Sequence, residues 1–172
     1  MAGSKNSVPT TLQEKFAVLH TLGLPVGHAV VTGTLPLEVA GVNVIHSDDI
    51  DVLCDQETWL QYAQHPKAVW HTFPNGTRSF SVLGAEFFTD LPDLLSDAAP
   101  KVAHALSETV VVEGIPFLSI GEVYDWKLRV SRPKDIDHIK KVDTWVNANP
   151  FNKRDWQDQT RTRSPKRAVS VS

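Results

Sequence analysis

The chain is predicted to fold as an α+β protein, a small mixed sheet flanked by helices and followed by C-terminal helices. Three observations carry this. Short β-rich runs alternate with stretches whose apolar residues recur at helical spacing. Capping-box spacings at Thr11-Leu12-Gln13-Glu14 and Ser119-Ile120-Gly121-Glu122 mark helix starts. Asn75-Gly76 separates two runs of β-forming residues, the strongest short-range hairpin signal.

In chain order, residues 1–10 read as a flexible end and residues 11–150 as the folded domain. Leu12, Phe16 and Leu19 share one face of the first helix, which Gly23 ends. Residues 28–32 form a short buried strand that stops at Gly33-Thr34. Pro36 and Gly41 exclude a long regular helix in residues 35–47, which read as a loop with one helical turn. A strand from Asp49 follows, and Asp55 caps a helix running through Trp59 and Tyr62 to about His65. Residues 68–73 and 78–83 are the arms of the hairpin, the second arm continuing through Gly84 to Phe88. Residues 91–106 are helical in parts, with Pro92 and Pro100 near helix starts. Residues 109–112 and 115–118 pair around Glu113-Gly114. The second capping box opens a helix with Ile120, Val123, Lys127 and Val130 along one side. Pro133 then restarts the chain at a first-turn position, and Ile136, Ile139, Val142 and Val146 make an apolar stripe through the last helix. Residues 151–172 form a polar tail, expected to be mobile, with six basic and two acidic residues from Lys153 onward.

At 172 residues the chain can bury a sizeable core, and a net charge of −3 makes no overall electrostatic case for nucleic acid. The basic tail alone would add attraction to RNA or DNA. The apolar runs fall far short of the roughly 18 residues a membrane span needs, and Met1-Ala2-Gly3-Ser4-Lys5-Asn6 lacks the apolar core of a signal peptide. A cytoplasmic protein without a membrane partner is expected. Its single cysteine, Cys54, leaves no internal disulfide and no cysteine-based zinc site, which suits a reducing cytosol. The seven histidines make no i, i+4 pair; His46 and His71 lie nearest the strands of interest. Trp126 and Trp145 read as core residues. Neither a phosphate-binding Gly-x-x-x-x-Gly-Lys-Ser/Thr loop nor a nucleophile elbow is present.

The chemistry concentrates at Asp49-Ile50-Asp51-Val52. In an extended strand Asp49 and Asp51 project from one side about 7 Å apart along the chain, with Ile50 and Val52 facing the core. A register one residue off would bring Asp48 into play instead. Adjacent carboxylates repel, and Mg²⁺, a hard ion with oxygen ligands, would relieve the repulsion. Solvated aspartates on an edge strand would give the same alternation. Glu86 sits amid apolar residues, where a charge must be paired or ligating. Gly33-Thr34, after a strand, lets the backbone approach a phosphate while a hydroxyl donates to it.

The ordered set Gly33-Thr34, Asp49-Ile50-Asp51 and Glu86 resembles the nucleotidyltransferase superfamily that includes DNA polymerase beta and the small antibiotic-modifying adenylyltransferases. The signature of that superfamily is glycine-glycine or glycine-serine, then Asp-apolar-Asp/Glu, then a third carboxylate. Downstream, Lys127-Leu128-Arg129-Val130-Ser131-Arg132-Pro133-Lys134-Asp135-Ile136 is similar to the Lys…Arg-x-Lys-Asp-apolar stretch of minimal nucleotidyltransferases from bacterial and phage-defence families. The resemblance covers residues 29–146 and makes residues 11–150 a nucleotidyltransferase-like domain. It implies two Mg²⁺ ions held by Asp49, Asp51 and Glu86, with an NTP, ATP foremost, as co-substrate. A nucleoside monophosphate would pass to a hydroxyl on a small molecule, a protein or an RNA, releasing pyrophosphate. Gly33 and Thr34 would contact phosphate, Lys127 or Lys134 would neutralise triphosphate charge, and Arg132 would act as a planar phosphate clamp. Asp135 would cap the last helix or orient Lys134. The alternative is a catalytically inactive module of the same shape, part of a toxin-antitoxin or defence pair.

Overall fold

Side-chain caps open three of the helices in the computed structural model, which describes residues 9, 11–44, 49–74, 76, 78–89 and 101–148. Thr11 accepts from the Glu14 amide at the start of α1 (Leu12–Leu22), and Asp55 accepts from Thr58 at the start of α3 (Gln56–Ala63). Ser119 accepts from Glu122 at the start of α5 (Ile120–Val130). The other elements are β1 (Ala29–Thr32), α2 (Leu35–Ala40), β2 (Ile50–Cys54), β3 (Ala68–Thr72), β4 (Arg78–Val82), β5 (Ala85–Phe88), α4 (Val102–Ser107), β6 (Thr109–Val112), β7 (Ile115–Leu118) and α6 (Pro133–Ala148). The expected flexible N-terminus, His46, Asp48, the start of the 91–106 helical stretch and the basic tail lie outside the described residues.

Among the described residues, seven strands form one mixed sheet in the order β3-β4-β5-β2-β1-β7-β6. The centre is β5-β2-β1, with β2 parallel to β5 and antiparallel to β1. The chain is thus α+β, with helices on both faces. On one face α1 and α3 cover Val31, Ile50, Val52, Phe80 and Phe87. The Trp59 indole donates to the Phe87 carbonyl at 3.1 Å and the Tyr62 hydroxyl to the Leu22 carbonyl at 2.8 Å, so both half-buried aromatics have their polar ends satisfied. On the other face α2, α4, α5 and α6 pack over Val30, Leu53 and Leu118. No helix among the described residues is long and apolar enough to cross a membrane.

Two local expectations are corrected and one is met. The second hairpin arm does not run on to Phe88: the chain reverses at Leu83 and Gly84, both with positive φ (54° and 88°), and returns as β5 antiparallel to β4. That two-residue turn is the primed kind that matches strand twist, but leucine at its first position hides it from sequence. After Gly33-Thr34 the helix is short, as Pro36 and Gly41 implied. Pro36 stands in the first turn of the six-residue α2, where its missing N–H costs nothing, and Gly41 closes the helix in the left-handed region. In α6 the stripe is rotated: Ile136 is exposed, and Asp135, His138 and Val142 face inward.

A buried ion pair ties α2 down. Lys15 of α1 has no exposed surface and donates to Glu38 at 3.1 Å, which fixes the helix that follows Gly33-Thr34.

Candidate active site

The sheet register assembles the site. Asp51 on β2 has Thr32 of β1 as its Cα partner on one side and Glu86 of β5 on the other. Register partners share a face, so the two side chains project from one face of adjacent strands, which are spaced roughly 4.8 Å. Ile50 and Val52 point the other way and are fully buried, as the alternation required. Asp49 lies exposed immediately before β2.

Like charges crowd Asp51. Burial first, then Asp49, then Glu86 push its carboxyl up to about 7, against the opposing pull of Lys134 and Lys127. Glu86 is half-buried and accepts a 2.9 Å hydrogen bond from the wholly buried Ser79 hydroxyl of β4. No group of three or more His, Cys, Asp and Glu side chains among the described residues is already gathered as a metal-ligand set.

Gly33 stands against Asp51. With φ of 76° it occupies the left-handed region, and a Cβ built there would lie 2.6 Å from Asp51 Oδ2. Glycine is therefore required both for the turn out of β1 and for clearance of the carboxylate. Gly33→Ala is expected to cost about 1–3 kcal/mol of stability. Most of that cost should vanish in the Asp51→Ala background only to the extent that the clash, rather than φ, sets it. Chemical denaturation of the four members of the cycle separates the two.

Basic groups arrive from the opposite side. Lys127 of α5 is buried, and its Nζ lies 3.2 Å from Asp135 Oδ1 and 3.4 Å from Thr34 Oγ1. Burial lowers its pKa, opposed by Asp135. Asp135, in the first turn of α6, is the hub. It accepts from Lys127, from Arg132 Nε at 2.6 Å and Nη2 at 3.3 Å, and from the Arg132 backbone N–H at 3.2 Å. Burial opposes its charge, but the Arg132 and Lys127 hydrogen bonds outweigh burial and hold its carboxyl below the ordinary value. The expected capping role is seen, whereas orientation of Lys134 is replaced by orientation of Lys127 and Arg132. Nε and one N–H of Nη2 face Asp135, so two of the five guanidinium donors of Arg132 are committed to that carboxylate. Lys134 is exposed in the same turn and acts on Asp51 through space.

Gly33, Thr34, Asp51, Glu86 and Lys127 are thus brought together, Asp49 stands at the rim, and Arg132 is attached through Asp135. Sequence reading missed Ser79 and the hub role of Asp135. The only sequence sign of the latter is the Arg132-to-Asp135 spacing of a reciprocal cap. Trp126 belongs to this cluster more than to the core: Arg132 Cζ lies 5.5 Å and Lys127 Nζ 5.7 Å from its ring centre. Its Nε1 and the Nδ1 of His138 are buried without a hydrogen-bond partner among the described residues. The carboxylates supply only hard oxygen donors, which fit Mg²⁺, while the basic cluster beside Thr34 fits an anionic ligand. No family model, curated protein or solved structure matches this chain.

Proposed function

We propose that the chain is a Mg²⁺-dependent nucleotidyltransferase that moves a nucleoside monophosphate from an NTP to a hydroxyl and releases pyrophosphate. The observation that supports this best is the contact of Gly33 with Asp51, in register with Glu86 and flanked by Lys127 on Thr34. Bound Mg²⁺ would stabilise charge on the attacking and leaving oxygens. Asp49, Asp51 and Glu86 are the oxygen donors for it. Ser79 engages Oε1 of Glu86, so Oε2 is the atom that would take the proton of an added hydroxyl acceptor. Thr34, Lys127 and the remaining guanidinium donors of Arg132 would meet the triphosphate, and the exposed Lys134 would add positive charge. ATP is the first NTP to offer.

Thermal unfolding tests the reading cheaply, because a ligand that binds only the folded state stabilises it. At about 100 times its dissociation constant, an NTP with Mg²⁺ should add about 2.7 kcal/mol, a rise of roughly 5–10 °C. Either component alone should do little, and pyrophosphate should appear once an acceptor is supplied. Indifference to NTP and Mg²⁺ together would contradict the proposal and favour a non-catalytic module.

A further inference from the structure

We propose that Ser81 is itself an acceptor, so that the chain attaches a nucleoside monophosphate to its own β4. The inference rests on the nucleotidyltransferase reading and concerns the side of the site where the hydroxyl enters. Thr32, Asp51, Glu86 and Ser81 form one row of register partners across β1, β2, β5 and β4, all on one face. The groups that suit a triphosphate, Thr34 and Lys127, lie beyond Asp51 on the β1 side. In-line displacement places the incoming oxygen opposite the leaving group, which is the β4 side of the row.

Two hydroxyls stand there. Ser79 is wholly buried and its proton is committed to Glu86. Ser81 is the Cα partner of Glu86, is only half-buried, and has its Oγ 3.2 Å from Nε2 of His71. With the imidazole proton on Nδ1, that Nε2 accepts the Ser81 proton, the pairing that activates a serine hydroxyl. His71 is exposed on β3, the outermost strand, four of whose five residues are exposed, so this end of the row opens to solvent.

The step balances without a further reactant. Ser81 Oγ forms a bond to the α-phosphorus of an NTP, and the bond from that phosphorus to the oxygen bridging the β-phosphate breaks. Pyrophosphate leaves with the electron pair, and the serine proton passes to His71 Nε2 and on to solvent. The product is a phosphodiester between Ser81 and the nucleoside, lying next to Glu86. The reaction therefore stops after one turnover per chain and closes the acceptor side.

The test is intact-mass measurement of the full chain after incubation with each of the four NTPs and Mg²⁺, with pyrophosphate measured in parallel. The tryptic peptide beginning at Ser79 is then sequenced by fragmentation. The expected result is one nucleoside monophosphate on Ser81, absent in Ser81→Ala, carried by the new hydroxyl in Ser81→Thr, and formed about 100-fold more slowly or worse in His71→Ala. Ser81→Thr keeps the test decisive should Ser81→Ala fold poorly. An adduct on another residue, or pyrophosphate release to an added hydroxyl compound while Ser81 stays unmodified, overturns this inference and leaves nucleotide transfer standing. Absence of both NTP-dependent stabilisation and pyrophosphate sinks the two together.

Discussion

Replacing Asp51 by asparagine is expected to abolish nucleotide transfer while making the metal-free protein more stable at pH 8. The loss follows from the role of the carboxylate: cation-borne stabilisation of transition-state charge is worth several kcal/mol, and every 1.36 kcal/mol is a factor of ten. A fall of about 10³-fold or more is expected. The gain in stability follows from the same crowding. Burial, Asp49 and Glu86 raise the folded-state pKa of Asp51 to about 7 from an ordinary value of 3.8. Between those values the folded state binds more protons than the unfolded one, so stability declines as pH rises through this window and the contribution is gone above about 7. Its upper limit is about 4 kcal/mol. Wild-type melting temperature, measured without metal, should therefore fall from pH 5 to pH 8, and millimolar Mg²⁺ should recover part of the fall. In Asp51→Asn the drop should shrink and Mg²⁺ should do nothing. A variant that keeps wild-type turnover would end the assignment of Asp51.

Asp135→Ala is expected to destabilise the chain by about 3–5 kcal/mol, the cost of stranding a buried charge by removing its partner. Lys127 and Asp135 are both almost fully buried and pair at 3.2 Å, and Asp135 also satisfies the Arg132 backbone N–H that opens α6. Replacing both partners with apolar residues, Lys127→Met with Asp135→Leu, should recover most of the stability, because a well-packed apolar pair can match a buried ion pair. Activity should not return, since Lys127 is also the group on Thr34. Urea denaturation of the two single variants and the double variant reads the coupling directly. Additive effects on stability would show that the pair does not act as a unit.

The elements that sequence disclosed are those whose signal is local. Thr11, Asp55 and Ser119 announce their helices because a short acceptor side chain satisfies an otherwise unpaired amide within one turn. Asn75-Gly76 announced the β3–β4 hairpin for a similar reason. The second turn was invisible because Leu83 takes a left-handed conformation that leucine rarely adopts, which only the surrounding sheet can impose. Of the site, Asp51 and Glu86 were legible as acids in β-patterned runs. Their adjacency was not, because it depends on β5 turning back to pair with β2 rather than extending β4. Ser79 escaped notice, as did the reach of Asp135 beyond its expected cap, since both roles are tertiary: one steadies a carboxylate seven residues away, and the other joins α5 to α6. The α6 stripe misled because a buried aspartate with three donor groups outcompetes Ile136 for the inner face.

A crystal structure of the full chain with a non-hydrolysable NTP, and Mn²⁺ as an anomalously scattering substitute for Mg²⁺, would locate the cation and the triphosphate directly. Manganese is expected on carboxylate oxygens of Asp51 and Glu86, with Asp49 turned inward, and the triphosphate over Gly33 and Thr34 within reach of Lys127. Manganese elsewhere, or a triphosphate seated away from the Gly33 turn while Asp51 stays uncoordinated, would contradict the proposed function.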